Sequence, residues 1–149
     1  MVLGNAISSN ATYGVYLLSA DGVQIGGELE GAGNTITKHF ASNLGGGNIA
    51  VFGGTNITIA DNISTNSTNG LILEGGANIF VGTPGFGNVF SSCTVGTSIS
   101  SSTNVFYYSN LVGPDETGTL ARANSYSGIS SRAIESEQTL PVQPRCPIR

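Results

Sequence analysis

Short runs of alternating apolar and polar residues recur between residues 5 and 107 of this chain. Each run is four to six residues long, is rich in β-branched or aromatic side chains, and is bounded by Gly, Asn or Ser. A hydrophobic period of two residues is typical of β-strands that bury one face. The pattern therefore predicts an all-β protein built from many short strands.

The runs repeat in sets of three. The first run of each set begins with asparagine, at spacings of 29, 28 and 26 residues: NAIS at Asn5, NTIT at Asn34, NIST at Asn62 and NVFS at Asn88. The second runs are GVYLL, NIAVF, GLIL and the weaker TSIS, at 14–18, 48–52, 70–73 and 97–100. The third runs are DGVQI, TNITI, ANIFV and TNVFY, at 21–25, 55–59, 77–81 and 103–107. Four rows of three strands account for this part of the chain.

Three short strands per row bury too little surface to be stable alone, so the rows must stack. Parallel strands about 4.8 Å apart place equivalent side chains of successive rows above one another. The alternation then predicts a continuous apolar core. Its inward side chains are Ile7, Val15, Leu17, Ile25, Ile36, Ile49, Val51, Ile57, Ile59, Leu71, Leu73, Ile79, Val81, Val89, Ile99 and Val105.

The asparagine that opens each row marks a corner between strands. Asparagine tolerates left-handed backbone angles, and stacked amides can hydrogen-bond along a column as an asparagine ladder. The stretch IGGELEGAGN at 25–34 is one such corner, with ELEGA bulging outward and Glu28 and Glu30 in solvent. Its glycines supply positive φ and close approach. A phosphate-binding glycine loop is not expected because no helix pattern follows it.

The motif IGG…GAGNTI, followed by GLIL-type strands, resembles the repeat of right-handed parallel β-helix proteins, among them pectate-lyase-like proteins, NosD-like proteins and viral tailspikes. The resemblance implies a short right-handed parallel β-helix of about four coils over residues 1–111. Residues 112–149 would form an extended C-terminal arm packed on this chain or on a partner. This fold hosts lyases, hydrolases, epimerases, adhesins and passive stems, so it does not specify the function.

Charged side chains are scarce. They form 9% of the chain, against about 25% in ordinary globular proteins, and the net charge is −4 with only five Lys and Arg. A basic nucleic-acid footprint is absent, so we expect no nucleic-acid partner. No window holds 18 consecutive apolar residues, so we expect no membrane insertion, and the first ten residues lack a signal-peptide pattern.

Candidate catalytic groups do not converge in the sequence. Lyases and epimerases of the resembling families need clustered carboxylates and a base, and hydrolases need a carboxylate pair or converging aspartates. The carboxylates here do not align between rows. They are Asp21, Glu28, Glu30, Asp61, Glu74, Asp115, Glu116, Glu135 and Glu137. We therefore predict no catalytic residue and no cofactor, and a single His with two distant Cys predicts no metal site.

Lys38 and His39 are the only lysine and the only histidine. Because neighbouring strand residues point to opposite faces, we do not expect them to act together, and we interpret them as a solvated corner. Phe106 and Tyr107 close the last row, and we expect them to seal the end of the core.

Cys93 and Cys146 leave two readings open. They either form a disulfide that holds the tail against the fourth row, or remain two separate thiols. Four N-glycosylation sequons matter only in a glycosylating compartment. They begin at Asn10, Asn56, Asn62 and Asn66.

The two ends of the predicted fold suggest its role. The first coil has no capping helix or polar rung, and an uncovered sheet edge needs a partner. From Val112 onward the repeat stops, and the tail has few apolar residues. We therefore expect a non-catalytic building or attachment element of a virion, fibre or cell-surface array, with other protein chains as partners at the first coil and the tail.

An alternative is a carbohydrate-binding or carbohydrate-cleaving module, which could be a fragment of a longer enzyme, with glycans as partners. A carboxylate cluster on one sheet face would distinguish it from a purely structural element.

Overall fold

The computed structural model describes residues 1–40 and 45–132, and the chain is all-β over these ranges. Each run that the sequence predicts as a strand overlaps an observed strand. The strands are β1 (Ala6–Ser8), β2 (Tyr13–Asp21), β3 (Gln24–Gly26), β4 (Thr35–Thr37), β5 (Gly47–Ala60), β6 (Ile63–Thr65), β7 (Asn69–Val81), β8 (Val89–Ser91), β9 (Val95–Ser100), β10 (Thr103–Tyr107), β11 (Leu111–Val112) and β12 (Ser127–Arg132).

The strands form two sheets of parallel strands. The five-stranded sheet has the order β1-β4-β6-β8-β11, and the other sheet runs β12-β9-β7-β5-β2, with β3 paired to β5 and β10 paired to β7. Paired strands come from successive rows: Ile36 of β4 pairs with Ile7 of β1 and with Ser64 of β6. The predicted all-β class and the stacking of parallel strands are confirmed, and the arrangement is compatible with a β-helix.

Two strands are long because they bend without ending. β5 pairs with β2 as far as Thr55 and with β3 from Thr58 onward, so it joins the second and third runs predicted for its row. Gly53 and Gly54, at φ 62° and 124°, lie where β5 bends. Glycine has no Cβ and adopts positive φ without strain, so the strand turns while its pairing continues.

The core follows the predicted alternation closely. Eleven of the predicted inward side chains belong to the buried core cluster, and they are Val15, Ile25, Ile36, Ile49, Val51, Ile57, Ile59, Leu71, Leu73, Ile79 and Val81. Val89 is buried, but its predicted inward position is wrong, because it pairs with Ile63 in the outward column and its neighbour Phe90 points into the core. The other four, at the outer rows, are partly buried and pack against this cluster: Ile7, Leu17, Ile99 and Val105. Burial of this column is the main stabilising contribution to the fold.

Phe90 is fully buried, although the alternation did not predict it. Its register explains the difference, because Phe90 pairs with Ser64, and Ser64 pairs with Ile36, in one inward column. The small Ser64 side chain leaves room for the large ring of the next row. Its hydroxyl donates to Gly70 O over 2.8 Å, which satisfies the buried oxygen.

The predicted asparagine ladder is present. At each of four steps, the backbone N–H and the Nδ2 of one asparagine both donate to Oδ1 of the next, over 2.8–3.1 Å. The members of the ladder are Asn5, Asn34, Asn62, Asn88 and Asn110. The last of these was not predicted, because it follows Asn88 by only 22 residues and opens a row that has few apolar residues.

The left-handed backbone angle predicted for these corner asparagines is wrong. Positive φ occurs instead at a residue just before some of them, as at Asp61 (58°) before Asn62. Left-handed asparagines occur instead at other, exposed positions, and three of them form a column at another corner. The three in the column are Asn56, Asn78 and Asn104, with φ of 54°, 54° and 51°, and Asn66, with φ of 52°, lies after β6.

Strand pairing continues into the segment predicted as a tail. β11 adds to β8, and β12 adds to β9 with Ile129 opposite Thr97. These two strands begin a further row. The sequence did not reveal it because SGISSR has a single apolar residue, so its strand character depends on the neighbouring strand. The division of the chain at residues 111 and 112 stays a prediction.

Candidate interaction surfaces

An aromatic cluster lies on the outer face of β2 and β5. Alternation turns Val15 inward, so Tyr16 points outward and meets Phe52, with ring centroids 5.5 Å apart. Tyr13, at the start of β2, lies 5.1 Å from Tyr16 and 6.1 Å from Phe52. These three rings, here called the aromatic cluster, line a shallow pocket of about 390 Å³ together with Thr12.

The aromatic cluster borders a carboxylate. Glu74 pairs in register with Phe52, and both line a neighbouring pocket of about 370 Å³ with Ser98. Partial burial raises the pKa of Tyr13 above its ordinary value, and the charges of Tyr16 and Glu74 raise it further. The cluster therefore combines an apolar surface with one acidic edge. The sequence did not suggest it, because its rings come from two different rows.

A second aromatic stack lies on the outer face of β7 and β10. Phe80 and Phe106 are paired in register, with centroids 4.8 Å apart and planes 15° apart. Tyr108 stacks on Phe106 at 6.4 Å. Phe106 is 39% exposed, so the prediction that it seals the core is wrong.

Tyr107 points the other way and packs against the core. Its hydroxyl lies 3.1 Å from Thr97 Oγ1. Burial raises the pKa of Tyr107 to about 12, and the hydrogen bond from Thr97 opposes that rise. The predicted inward role holds for this residue of the pair.

A polar groove crosses the outer face of the five-stranded sheet. It has a volume of about 440 Å³, and its lining includes Asp61, Glu116, Asn62 and Ser109. An adjoining pocket of about 280 Å³ shares Glu116 and adds Asp115 and Arg122. The fold thus brings together on one sheet face carboxylates from distant parts of the chain.

Asp115 organises the loop that borders this groove. Its Oδ1 accepts hydrogen bonds from Thr117 Oγ1 over 2.8 Å, from Thr119 N over 3.2 Å and from Leu120 N over 3.3 Å. The hydroxyl of Thr117 is the main cause that lowers the pKa of the Asp115 carboxyl. These contacts are local to the loop, so Asp115 holds the loop beside the groove in place through one of its two carboxylate oxygens.

Lys38 and His39 are separated as predicted, but the solvated position expected for His39 is wrong. Lys38 is exposed with φ 64°, whereas His39 is fully buried. His39 Nδ1 accepts from Asn10 N over 3.1 Å, and its Nε2 lies 3.3 Å from Ile7 O. Both ring nitrogens therefore have backbone partners, which is the environment of a structural histidine.

The remaining sequence candidates have structural surroundings. Cys93 is buried, with Sγ 3.3 Å from Ser91 O, and burial raises the pKa of its thiol to about 11. Cys146, Glu135 and Glu137 lie outside the described residues. Of the sequon asparagines, Asn62 is buried in the ladder, whereas Asn10, Asn56 and Asn66 are exposed.

Within residues 1–40 and 45–132, no three His, Cys, Asp or Glu side chains are placed to hold a metal ion. No helix in the same ranges has the length and hydropathy needed to cross a membrane. Comparison of the chain with protein-family models, with curated proteins and with solved structures gave no significant match.

Proposed function

We propose that the chain is a short right-handed parallel β-helix and that it serves as a non-catalytic structural element of a larger assembly, such as a virion capsid, spike or fibre, or a cell-surface array. Parallel strands stacked one repeat apart support the proposed fold. Its partners are other protein chains, which contact the first row and the segment from residue 112. The molecule acts on the virion or at the cell surface.

The open edge of β2 is the observation that carries this proposal. Within the described residues, β2 pairs with β5 and has no strand on its other side, so a nine-residue strand presents unpaired N–H and C=O groups. Long edges are normally blunted by lysine, proline or a covering segment. β2 contains neither lysine nor proline.

Exposed apolar side chains accompany the open edge. Tyr16 and Leu18 are 49% and 64% exposed on the outer face of β2. At the other end of the same sheet, β12 pairs only with β9 among the described strands, and Ile129 is 50% exposed. Open backbone groups beside exposed apolar side chains favour contact with another polypeptide.

Light scattering of the purified chain over a range of concentrations tests the proposal. We expect a mass above that of the monomer, and we expect Tyr16→Ser combined with Leu18→Ser to lower it. Leu29→Ser is the matched control, because Leu29 is 76% exposed but lies outside β2. A monomeric wild-type chain at every concentration, or equal loss in the control, would contradict the proposal.

Carbohydrate binding or cleavage is a second candidate function, and the polar groove favours it. The carboxylates of Asp61 and Glu116 and the hydroxyl of Ser109 line one groove, as a site for a polyhydroxylated ligand requires. NMR titration with neutral and acidic oligosaccharides tests it. We expect shifts confined to the groove that are lost in Asp61→Asn with Glu116→Gln and kept in Glu28→Gln with Glu30→Gln. No shifts at millimolar sugar would exclude it.

A further inference from the structure

The asparagine ladder has a direction. At every step the amide of one row donates to Oδ1 of the following row, never the reverse. A third bond accompanies each step, because the residue after the following asparagine donates its N–H to the backbone oxygen of the earlier one. These bonds are Thr35 N to Asn5 O at 2.8 Å, Ile63 N to Asn34 O at 2.9 Å, Val89 N to Asn62 O at 2.8 Å and Leu111 N to Asn88 O at 2.8 Å.

The two ends of the ladder are therefore chemically complementary. Within the described residues, Asn5 Oδ1 accepts no hydrogen bond, so the first row of the ladder presents an available acceptor. Asn110 donates Nδ2 to Val81 O over 2.8 Å, but its backbone N–H has no partner in the same ranges. The ladder thus ends with the donor that a following Oδ1 would accept.

Backbone groups on the terminal strands match in the same way. In β1, Asn5 O and Ser9 N bond to β4, and because backbone groups alternate along a parallel strand, those of Ala6 and Ser8 face the open edge. In β11, Leu111 N and Gly113 N bond to β8, so the groups of Val112 face outward. Ala6 thus offers the N–H, and Asn110 the backbone oxygen, needed for the third bond of a step.

Apolar side chains end at the same two surfaces. Ile129 lies at the end of the inward column that runs from Val15 through Ile49, Leu71 and Thr97, and it is half exposed. Val112 ends the column that begins with Ile7, and both are only partly buried. A further row would cover Ile129 and Val112 at one end and Ile7 at the other.

We infer that these two ends bind each other, so that copies of this chain stack head to tail. Asn110 of one copy donates its N–H and Nδ2 to Asn5 Oδ1 of the next, and Ala6 N–H of the next copy donates to Asn110 O. β11 then pairs with β1, and β12 with β2. The chain that binds the last row is a second copy of this one. The last row can continue the ladder only with an asparagine followed by an open N–H in a parallel strand, and the first row supplies both.

The head-to-tail contact rests on the proposed function, and it specifies the partner as a second copy of this chain. It joins two different surfaces, so it leaves one of each surface free at the ends of every oligomer. The wild-type chain should therefore form a series of oligomers whose mean mass rises with concentration, rather than a single dimer.

Two proline variants test the contact. Ser8→Pro removes an open N–H from β1. Ser130→Pro does the same in β12, where Ser127 N bonds to Thr94 O and the alternating groups of Ser130 face outward. Each variant alone should be monomeric by light scattering. Mixed, they should form a one-to-one dimer of twice the mass and nothing larger, because each supplies the surface that the other lacks.

Ser8→Ala and Ser130→Ala are matched controls that keep the N–H and should assemble like the wild type. Circular dichroism and the thermal midpoint show whether the proline variants fold. If Ser8→Pro is monomeric while Ser130→Pro still associates and mixing restores nothing, the first row binds itself or another surface. In that case assembly stands and the head-to-tail contact is wrong. If the wild type is monomeric throughout, both fail.

Cross-linking gives a second readout that needs no proline. In the stacked arrangement Leu111 of one copy lies opposite Ala6 of the next, about 5 Å apart between Cα atoms, which suits a disulfide. In a Cys93→Ala, Cys146→Ser background, Ala6→Cys mixed with Leu111→Cys should give an oxidised dimer. Ala6→Cys mixed with Leu120→Cys should not. Equal cross-linking in both mixtures would overturn the contact.

Discussion

Asn62 donates both its backbone N–H and its Nδ2 to a single atom, Asn88 Oδ1, over 3.0 Å and 2.9 Å. Ile25 O and Ala60 O also lie 2.9 Å from the same Nδ2, so its two protons are shared among three acceptors. One buried amide therefore links three neighbouring segments of the fold. This explains why asparagine recurs at the opening of each row, since a shorter or apolar side chain would leave several buried groups without a partner.

Replacing Asn62 with leucine should lower the free energy of unfolding by about 2–4 kcal/mol, because Ile25 O and Ala60 O lose a donor, and the N–H and Nδ2 of Asn34 lose their acceptor. Urea unfolding followed by circular dichroism measures this change. Asn10→Ala is the control, since the Asn10 side chain is exposed, and it should shift stability by less than about 0.5 kcal/mol. Equal effects of the two substitutions would show that the ladder amide is not needed for stability.

Gly26 should not tolerate alanine. Its φ is 71°, and an added Cβ would lie 1.9 Å from Ala60 O, so the neighbouring strand would have to move. We expect Gly26→Ala to cost more than about 3 kcal/mol or to prevent folding. Gly22→Ala is the matched control, because Gly22 has φ 64° but no atom within 4 Å of the added Cβ. It should cost about 1 kcal/mol, the strain of the backbone angle alone. Thermal denaturation of both variants separates the two causes.

His39→Leu should destabilise the fold by about 1–3 kcal/mol, because Asn10 N and Ile7 O would lose their partners on the imidazole ring. Lys38→Gly should be neutral or slightly stabilising, since it relieves a left-handed angle at an exposed position. Chemical denaturation of the two neighbours distinguishes a structural histidine from a solvated corner. A neutral His39→Leu variant would argue against the structural role.

Stability should fall as pH rises from about 10 to about 12. The folded chain keeps the proton of Tyr107, with a pKa of about 12, after the unfolded chain has released it near the ordinary value of 10.0. Over this window the unfolded state binds fewer protons, so the loss is at most about 1.4 kcal/mol per pH unit from this group. Its contribution is fully present below pH 10.

Tyr107→Phe should reduce that slope, at a cost of about 1 kcal/mol at neutral pH for the lost bond to Thr97. Thr97→Val should carry a similar neutral-pH cost but keep the alkaline decline. Urea midpoints at several pH values compare them. Cys93, whose thiol has a pKa of about 11, adds a decline of the same sign from pH 9, so the comparison uses Cys93→Ala throughout. An unchanged slope in Tyr107→Phe would contradict the assignment.

The local sequence pattern was sufficient to predict a residue's position wherever that position depends only on the residue's own strand. The alternation placed Ile36, Val51 and Leu73 in the core because side chains of a strand alternate between its two faces. The spacing of the asparagines revealed the first four members of their column for a related reason, since similar repeat lengths bring equivalent residues into register. The positions of Glu28 and Glu30 in solvent likewise followed from the corner that holds them.

The tertiary structure alone decided features that depend on the neighbouring row. Phe90 is buried because the residue beside it is the small Ser64, and the aromatic cluster exists because register sets Tyr16 near Phe52.

The strand character of β12 follows from the same cause, because SGISSR gains it by pairing with β9. The place of Asn110 in the ladder and the polar groove could not be predicted either. Both depend on which residues of neighbouring rows lie above one another, and the row length is not constant. Sequence alternation therefore determined which face most of the strands bury, with β8 the exception, whereas the register between rows determined what each side chain meets.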